Sequence, residues 1–144
     1  MRHPRIAVSL LATLTLVLTG CGEDGTTASS DSGVCAETDA SGDLLAQICE
    51  EGTLTASTDA AYPPQSSLDE QTGEYEGFDI DVATEIADRL GVEIAWETPP
   101  FEAITAGNWN GRWDLSVGSI TITNERAEAL LFTEPYYYTP ASIV

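Results

Sequence analysis

The sequence predicts an α/β fold in which a mostly parallel sheet is covered by helices. From Thr53 onward, short β-branched or alternating segments are separated by segments with helical spacing of apolar residues. This order is typical of parallel sheets, because two parallel strands need a long crossover between them. The chain is 42% hydrophobic and 8% aromatic, which is ordinary for a folded protein.

The first predicted elements are a short helix and a buried strand. Ser41 is expected to cap a helix that contains Ile48 and ends at Gly52. The small β-branched run from Thr53 to Thr58 predicts the first strand. Residues 62–77 contain Pro63, Pro64 and Gly73 and therefore predict a loop with a hairpin.

The strongest predicted helix begins at Asp79 or Asp81 and ends at Gly91. Its apolar residues recur at helical spacing, namely Val82, Ile86 and Leu90. Asp79 is interpreted as the N-terminal cap, in an acidic first turn that the helix dipole favours, and Phe78 as a hydrophobic staple.

The remaining segments alternate between extended and helical patterns. We predict a strand at Val92–Trp96, a helix at Phe101–Asn110, a strand at Asp114–Ser119, a single helical turn capped by Thr123, and extended segments at Ala129–Thr133 and Tyr136–Val144.

The charge balance excludes several classes of function. The chain has 24 acidic residues against five arginines, no lysine and one histidine, His3, for a formal charge of −19. If the N-terminal segment that contains His3 is removed, the remaining chain has neither histidine nor lysine, so histidine-based catalysis, His-ligated metal sites and lysine chemistry are excluded. We expect no cofactor and no catalytic residue. Nucleic acid is not an expected partner, because it requires a basic face.

Residues 1–20 are predicted to be a signal peptide. Arg2 and Arg5 precede an uncharged, mostly apolar run from Ile6 to Leu18, which is too short to span a bilayer comfortably. The run ends in Leu-Thr-Gly-Cys, which resembles the bacterial lipobox, so Cys21 is expected to carry lipid and anchor the chain to the outer face of the cell membrane. The alternative is an ordinary secretory peptide with Cys21 free or in a disulfide.

Two segments precede the main domain. Residues 21–34 are polar and small and predict a flexible tether after Cys21. Residues 35–52 are expected to form a short helical segment closed by a Cys35–Cys49 disulfide, because an exported chain meets an oxidising compartment. A metal site is the weaker alternative, since two thiols alone do not complete a zinc shell.

Several motifs together resemble one known family. These motifs are Thr58–Pro64, Gly77–Val82, Gly111–Leu115, Gly118–Arg126 and Phe132–Tyr137. In their sequences and in their order along the chain, these motifs resemble those of the extracytoplasmic solute-binding proteins, family 3, of polar amino-acid ABC transporters.

The resemblance implies a periplasmic-binding-protein-like lobe over residues 53–144 and a role as the receptor subunit of an ABC importer. The expected partners are a polar or charged amino acid, the transporter permease and, through the lipid anchor, the membrane. Family members have a second lobe, which is expected to be missing here because the chain ends near the hinge.

Arg126 is the expected receptor for the ligand α-carboxylate. It is one of three arginines after residue 21 and follows Thr123, the expected cap of a helical turn. A guanidinium can hold a carboxylate through two hydrogen bonds, and free backbone N–H groups near a helix start add donors. The alternative is a surface ion pair with Glu125, Glu128 or Glu134.

The resemblance implies further contacts with the ligand. Gly118 (through its carbonyl), Ser119 and Thr121 are expected to hold the α-amino and α-carboxylate groups. Asp59 is placed near the ligand side chain, with Tyr62 and Phe101 against its two faces. The alternatives are a turn or cap role for Asp59, loop packing for Tyr62 and a core position for Phe101.

Two rival functions use the same fold. An enzyme, such as a periplasmic dehydratase, would need paired carboxylates, for which Asp59 and Glu102 are the conceivable pair. An extracellular sensor input domain would require a downstream transmembrane helix.

Overall fold

The computed structural model describes residues 33–140 of the chain. The predicted signal peptide, Cys21 and nearly all of the predicted tether lie outside the described residues, as do residues 141–144.

Helices and strands alternate along the described chain. The helices are α1 (Val34–Glu37), α2 (Leu44–Glu51), α3 (Phe78–Leu90), α4 (Phe101–Thr105) and α5 (Asn124–Ala127). The strands are β1 (Thr53–Ser57), β2 (Ala61–Tyr62), β3 (Ser66–Leu68), β4 (Tyr75–Glu76), β5 (Glu93–Glu97) and β6 (Leu115–Ser116).

The main sheet is parallel, with strand order β5-β1-β6. Strand β1 pairs with β5 along its whole length, from Thr53 opposite Glu93 to Ser57 opposite Glu97, and on its other side Ala56 lies opposite Leu115. Strands β2, β3 and β4 form a separate antiparallel sheet in the region predicted as a loop and hairpin. The predicted α/β class with a parallel sheet is confirmed.

Helix α3 packs against β1 and β5 and closes the core. Ile48 of α2, Leu54 of β1 and Ala87 of α3 form one buried cluster, and a second consists of Ala56, Ala83 and Val117. Because small alanines of α3 face the sheet, the helix lies close to β1. The core therefore holds together residues 48–56, 83–87 and 117, which are distant from one another in sequence.

The predicted start of α3 is wrong. The helix begins at Phe78, and its N-cap is Gly77, with no side-chain capping bond. Gly77 has φ 125°, and a side chain there would collide with the carbonyl oxygen of Gln65, so this capping position requires glycine. Asp79 lies inside the helix, as its second residue. The predicted end is correct, because Gly91 adopts the left-handed conformation at φ 80°.

Phe78 is not a staple. It is the first residue of α3, and its ring packs against Tyr136 and Tyr137, with ring centroids 5.8 Å and 5.4 Å away. The C-terminal segment of the described chain therefore contacts the start of α3.

The cap of α2 is Asp43 and not Ser41. Asp43 is in an extended conformation, and its Oδ1 accepts a hydrogen bond of 2.9 Å from the backbone N–H of Ala46. Gly42, at φ 74°, turns the chain between Ser41 and the helix, which is why the cap lies two residues later than predicted. Gly52 ends α2 as predicted.

Cys35 and Cys49 are joined by a disulfide. Cys35 lies on α1, a short helix that was not predicted and that begins at Val34, inside the predicted tether. Because Cys49 lies on α2, the bond fastens α1 to the helix that covers β1.

Several later elements are shorter than predicted. Helix α4 stops at Thr105, since Gly107 adopts φ 69° and the indole N–H of Trp109 donates to the carbonyl of Ile104. Strand β6 comprises two residues instead of six. The two predicted C-terminal extended segments contain no strand up to residue 140.

Two features are absent from residues 33–140. None of the helices there has the length and apolar character needed to cross a membrane. The same residues contain no cluster of three or more histidine, cysteine or acidic side chains able to hold a metal ion.

Candidate functional site

The carboxyl ends of β1 and β6 bring two of the predicted site segments to one edge of the sheet. The strands are parallel neighbours, and the N–H of Val117 donates to the carbonyl of Ser57 at 2.9 Å. Asp59 follows β1, and Gly118 and Ser119 follow β6. Ligands of open α/β sheets bind at this edge, because helix starts and loops converge there.

Arg126 lies on α5, where its side chain is held by two contacts. Its Nη1 donates to the carbonyl of Thr121 at 2.8 Å, and its guanidinium carbon lies 5.0 Å from the centroid of the Phe101 ring. Thr123 caps α5 as predicted, with its Oγ1 accepting from the N–H of Arg126 at 3.3 Å. The structure therefore brings Arg126, Thr121 and Phe101 together.

Arg126 has no carboxylate partner in the described part of the chain. The one ion pair found there joins Arg89 and Glu85 at 2.7 Å on the exposed face of α3. The alternative surface ion pair of Arg126 is therefore absent. A guanidinium has five N–H donors, and one of them is used by Thr121, so the others can meet an anionic ligand.

Ser119 and Tyr136 form a hydrogen-bond network around the buried carboxylate of Asp79. The Ser119 hydroxyl lies 2.7 Å and 2.9 Å from the two carboxylate oxygens of Asp79, which has no exposed surface. The Tyr136 hydroxyl donates to Asp79 Oδ1 at 2.7 Å and accepts the backbone N–H of Ser119 at 3.2 Å. We call these three residues the Asp79 network.

The Asp79 network changes the acidity of Tyr136. Burial, and secondarily the hydrogen bond and negative charge of Asp79, raise the pKa of Tyr136 to about 12. The phenol therefore stays protonated and continues to donate to Asp79 throughout the physiological pH range.

Gly118 and Thr121 flank the network on the loop after β6. Nothing lies within 4 Å of the place where a side chain on Gly118 would begin, so the backbone there borders open space. The carbonyl of Thr121 is used by Arg126, and the residue is exposed.

Within the described residues, Asp59 and Tyr62 make no hydrogen bond or ring contact with Arg126, Thr121 or Phe101. Asp59 is exposed, and its Oδ1 accepts a hydrogen bond of 2.9 Å from the backbone N–H of Ala61. This bond stabilises a local turn, which is the alternative role predicted for Asp59. Tyr62 lies on β2 with 49% of its surface exposed. Phe101 is 46% exposed, which excludes the core alternative for that ring.

A cavity of about 500 Å³ lies beside the loop after β6. Residues 115–122 and 130–139 supply most of its lining. Arg126, Asp59, Tyr62 and Phe101 do not line it, and most of its lining is apolar. Gly118, Ser119 and Thr121 of the predicted site do line it. Because the guanidinium of Arg126 does not, the cavity adjoins the predicted amino-acid site without containing all of it.

The hydrogen bonds of Asp79 and Tyr136 with Ser119 were not predicted from the sequence. Gly77, the glycine before Phe78, could have indicated the role of Asp79. If a glycine occupies the N-cap position, the aspartate two residues later is not needed as the cap and can bond to another residue. Tyr136 is one of three consecutive tyrosines, 136–138, and nothing in the sequence distinguishes it from the other two.

The fold and the site define a class of protein. A parallel α/β sheet with an arginine and hydroxyl-bearing loops near its carboxyl edge is one lobe of a small-molecule binding protein. The chain belongs to the bacterial extracellular solute-binding proteins, family 3, because the family model matches residues 54–144.

Relatives with known roles are similar to this chain. The L-cystine-binding protein TcyA of Bacillus subtilis (strain 168) is 31% identical over 103 residues, which are 72% of this chain and 38% of that protein. The arginine-bound form of domain 1 from TmArgBP is 35% identical with a TM-score of 0.59, and the match covers 63% of this chain and 71% of that one. An ancestral cyclohexadienyl dehydratase is 34% identical with a TM-score of 0.63, over 68% of this chain and 40% of that one.

The chain spans less than two fifths of the length of the curated relative described above. The match to TmArgBP is to a single domain of that protein.

Proposed function

We propose that this chain supplies the amino-acid-binding lobe of an extracytoplasmic receptor for an ABC importer. The observation that carries the proposal is the Arg126 guanidinium, which is positioned by Thr121 and Phe101 but has no carboxylate partner within residues 33–140. A fixed cation without a counterion suits the α-carboxylate of an amino acid. No bond of the ligand is made or broken in this role.

The proposed ligand is a polar or charged amino acid. Arg126 binds its α-carboxylate, and the Gly118 carbonyl and the oxygens of Ser119 and Thr121 face its α-amino group. Phe101 and Tyr62, whose rings are about half exposed, flank its side chain. Asp59 uses Oδ1 to accept the backbone N–H of Ala61, so its Oδ2 can bind a polar or cationic end of the ligand.

The proposed location is the outer face of the cell membrane. Cys21 carries the lipid, and the permease of the importer is the protein partner. The family description as extracellular proteins supports export.

The test is calorimetric titration of the purified chain with L-arginine, L-lysine, L-histidine and L-cystine. A single lobe is a reasonable object for it, since domain 1 of TmArgBP is known in an arginine-bound form. We expect saturable binding of at least one of the four amino acids. Absence of binding to all four would contradict the proposal.

The matched variants are Arg126→Ala and Arg112→Ala. We expect Arg126→Ala to weaken binding at least about thirtyfold, because a charge-assisted contact in a desolvated site contributes about 2 to 5 kcal/mol. Arg112 is exposed, stacks on Trp113 at 4.5 Å and donates to the Trp109 carbonyl, so its loss should change affinity little. Equal losses in the two variants would remove Arg126 from the carboxylate role.

A dehydratase is the second candidate, and the similarity to an ancestral cyclohexadienyl dehydratase is the observation in its favour. Incubation with a cyclohexadienyl carboxylic acid distinguishes the two. The binding proposal expects the acid to be recovered unchanged, and its conversion by wild type but not by Asp59→Asn would favour the enzyme.

A further inference from the structure

Ser119 has a backbone conformation that needs support. It is one of two residues other than glycine with positive φ in the described part of the chain, at 55°. This left-handed conformation is unfavourable for a serine and persists where surrounding contacts fix it. The contacts here are the hydroxyl bonds to Asp79 and the backbone bond to Tyr136.

The direction of these hydrogen bonds decides what Ser119 can offer to a ligand. A carboxylate only accepts, so the Ser119 hydroxyl must donate its one proton to Asp79. The backbone N–H of Ser119 donates a hydrogen bond to the Tyr136 hydroxyl. Both donors of Ser119 are therefore used inside the protein, and the hydroxyl oxygen retains its accepting lone pairs.

An accepting oxygen backed by a buried carboxylate suits a cationic donor. The hydrogen bond to Asp79 increases the negative charge on the Ser119 oxygen, because bonds in a chain polarise one another. A ligand α-ammonium is such a donor, whereas a ligand carboxylate would meet this oxygen unfavourably. The Asp79 network thus distinguishes the two charged groups of an amino acid, because the Ser119 oxygen favours the α-ammonium group whereas Arg126 favours the α-carboxylate.

We propose that Asp79 and Tyr136 are positioning residues that hold Ser119 as a pure hydrogen-bond acceptor for the α-ammonium group of the ligand. This inference rests on the proposed function, and it assigns to the start of α3 and to the segment after α5 a role in recognising one ligand group. Neither Asp79 nor Tyr136 is expected to touch the ligand.

The test compares an amino acid with the analogue that lacks its α-amino group. The probe is whichever of L-arginine, L-lysine, L-histidine and L-cystine the wild type binds most tightly, together with the corresponding des-amino acid. In Asp79→Asn the negative charge is lost, and the amide nitrogen that replaces one carboxylate oxygen donates to the Ser119 hydroxyl instead of accepting from it, so it competes with the ligand for the Ser119 oxygen. We expect a loss of about tenfold to a hundredfold for the amino acid and little change for the des-amino analogue.

The control is Asp114→Asn. Asp114 is a partly buried aspartate whose Oδ2 accepts the N–H of Thr55 at 2.9 Å inside the sheet. A structural role alone predicts that both variants lower the melting temperature and leave the preference for the amino acid over its analogue intact. The inference predicts that only Asp79→Asn reduces that preference.

Tyr136→Phe provides a second, milder variant in case Asp79→Asn does not fold. It removes one hydroxyl and keeps the ring contact with Phe78. Tyr138→Phe is its control, since Tyr138 is 84% exposed. We expect Tyr136→Phe to weaken binding of the amino acid severalfold more than binding of its analogue, and Tyr138→Phe to do neither.

The outcomes separate the inference from the proposed function. If wild type binds none of the four amino acids, the proposed function fails and the inference fails with it. If wild type binds one and Arg126→Ala abolishes binding, but the preference over the des-amino analogue is unchanged in Asp79→Asn and Tyr136→Phe, the function stands and the inference is overturned.

Discussion

Tyr136 connects the end of the described chain to the loop after β6, and its acidity is the most accessible sign of that connection. Its pKa is raised from 10.0 to about 12, so the folded chain holds the phenolic proton more tightly than the unfolded chain. This contribution to stability is complete below pH 10 and is lost as the pH rises from 10 to about 12. The sequence contains no lysine, which simplifies titration in that range.

We therefore predict that the free energy of unfolding falls between pH 10 and 12 in wild type and falls less steeply in Tyr136→Phe. Urea denaturation at a series of pH values measures this difference, with Tyr138→Phe as the control. Identical slopes for all three proteins would show that Tyr136 titrates like an ordinary tyrosine.

Cys21 is the residue on which the proposed membrane attachment depends. We predict that Cys21→Ser moves the exported protein from the membrane fraction to the soluble fraction, because lipid chains contribute about 0.8 kcal/mol per buried CH₂. Fractionation followed by immunoblotting measures the change. A Cys21→Ser protein that stays membrane-bound at wild-type levels would place the anchor elsewhere.

At the scale of single elements, capping decides where α2 begins. The side chain of Asp43 satisfies a backbone N–H at the start of this helix, whereas Ser41 lies outside it. We predict that Asp43→Ala lowers the free energy of unfolding by about 1 kcal/mol, the usual cost of losing an N-cap, and that Ser41→Ala changes it by less than about 0.5 kcal/mol. Thermal denaturation of both variants checks the assignment. A larger loss in Ser41→Ala would restore the cap predicted from the sequence.

Helix α3 shows how one element serves both the core and the site. Its alanines pack against the sheet, and its second residue, Asp79, holds Ser119. The close approach of Gly77 to the backbone of Gln65 fixes where the helix starts and therefore where Asp79 lies. A change at Gly77 would thus alter the site and the fold together.

At the scale of the whole molecule, a small core joins segments that are distant in sequence. Leu54 is 2% exposed and packs between α2 and α3, whereas Leu131 is fully exposed. We predict that Leu54→Ala lowers the free energy of unfolding by about 2 to 5 kcal/mol and Leu131→Ala by less than about 0.5 kcal/mol. Chemical denaturation measures both. Similar small effects would mean that the described lobe lacks a cooperative core.

The sequence alone determined the features that depend on neighbours along the chain. The apolar spacing of Val82, Ile86 and Leu90 predicted helix α3, and Gly91 predicted its end. Thr123 predicted the cap of α5, and the β-branched run after Gly52 predicted β1. The order and spacing of the motifs also predicted the family, because both are properties of the amino-acid sequence and require no knowledge of the fold.

Only the tertiary structure decided the features that depend on distant partners. Asp79 accepts hydrogen bonds from residues 40 and 57 positions away, and no local pattern reports such a contact. The length of α4 depended on Gly107 and on the indole of Trp109. Within the described residues Arg126 has no ion pair, although three glutamates lie close to it in sequence. The physical reason is that caps and periodicity are set by hydrogen bonds within a few residues, whereas the partners of a buried polar group are set by packing of the whole lobe.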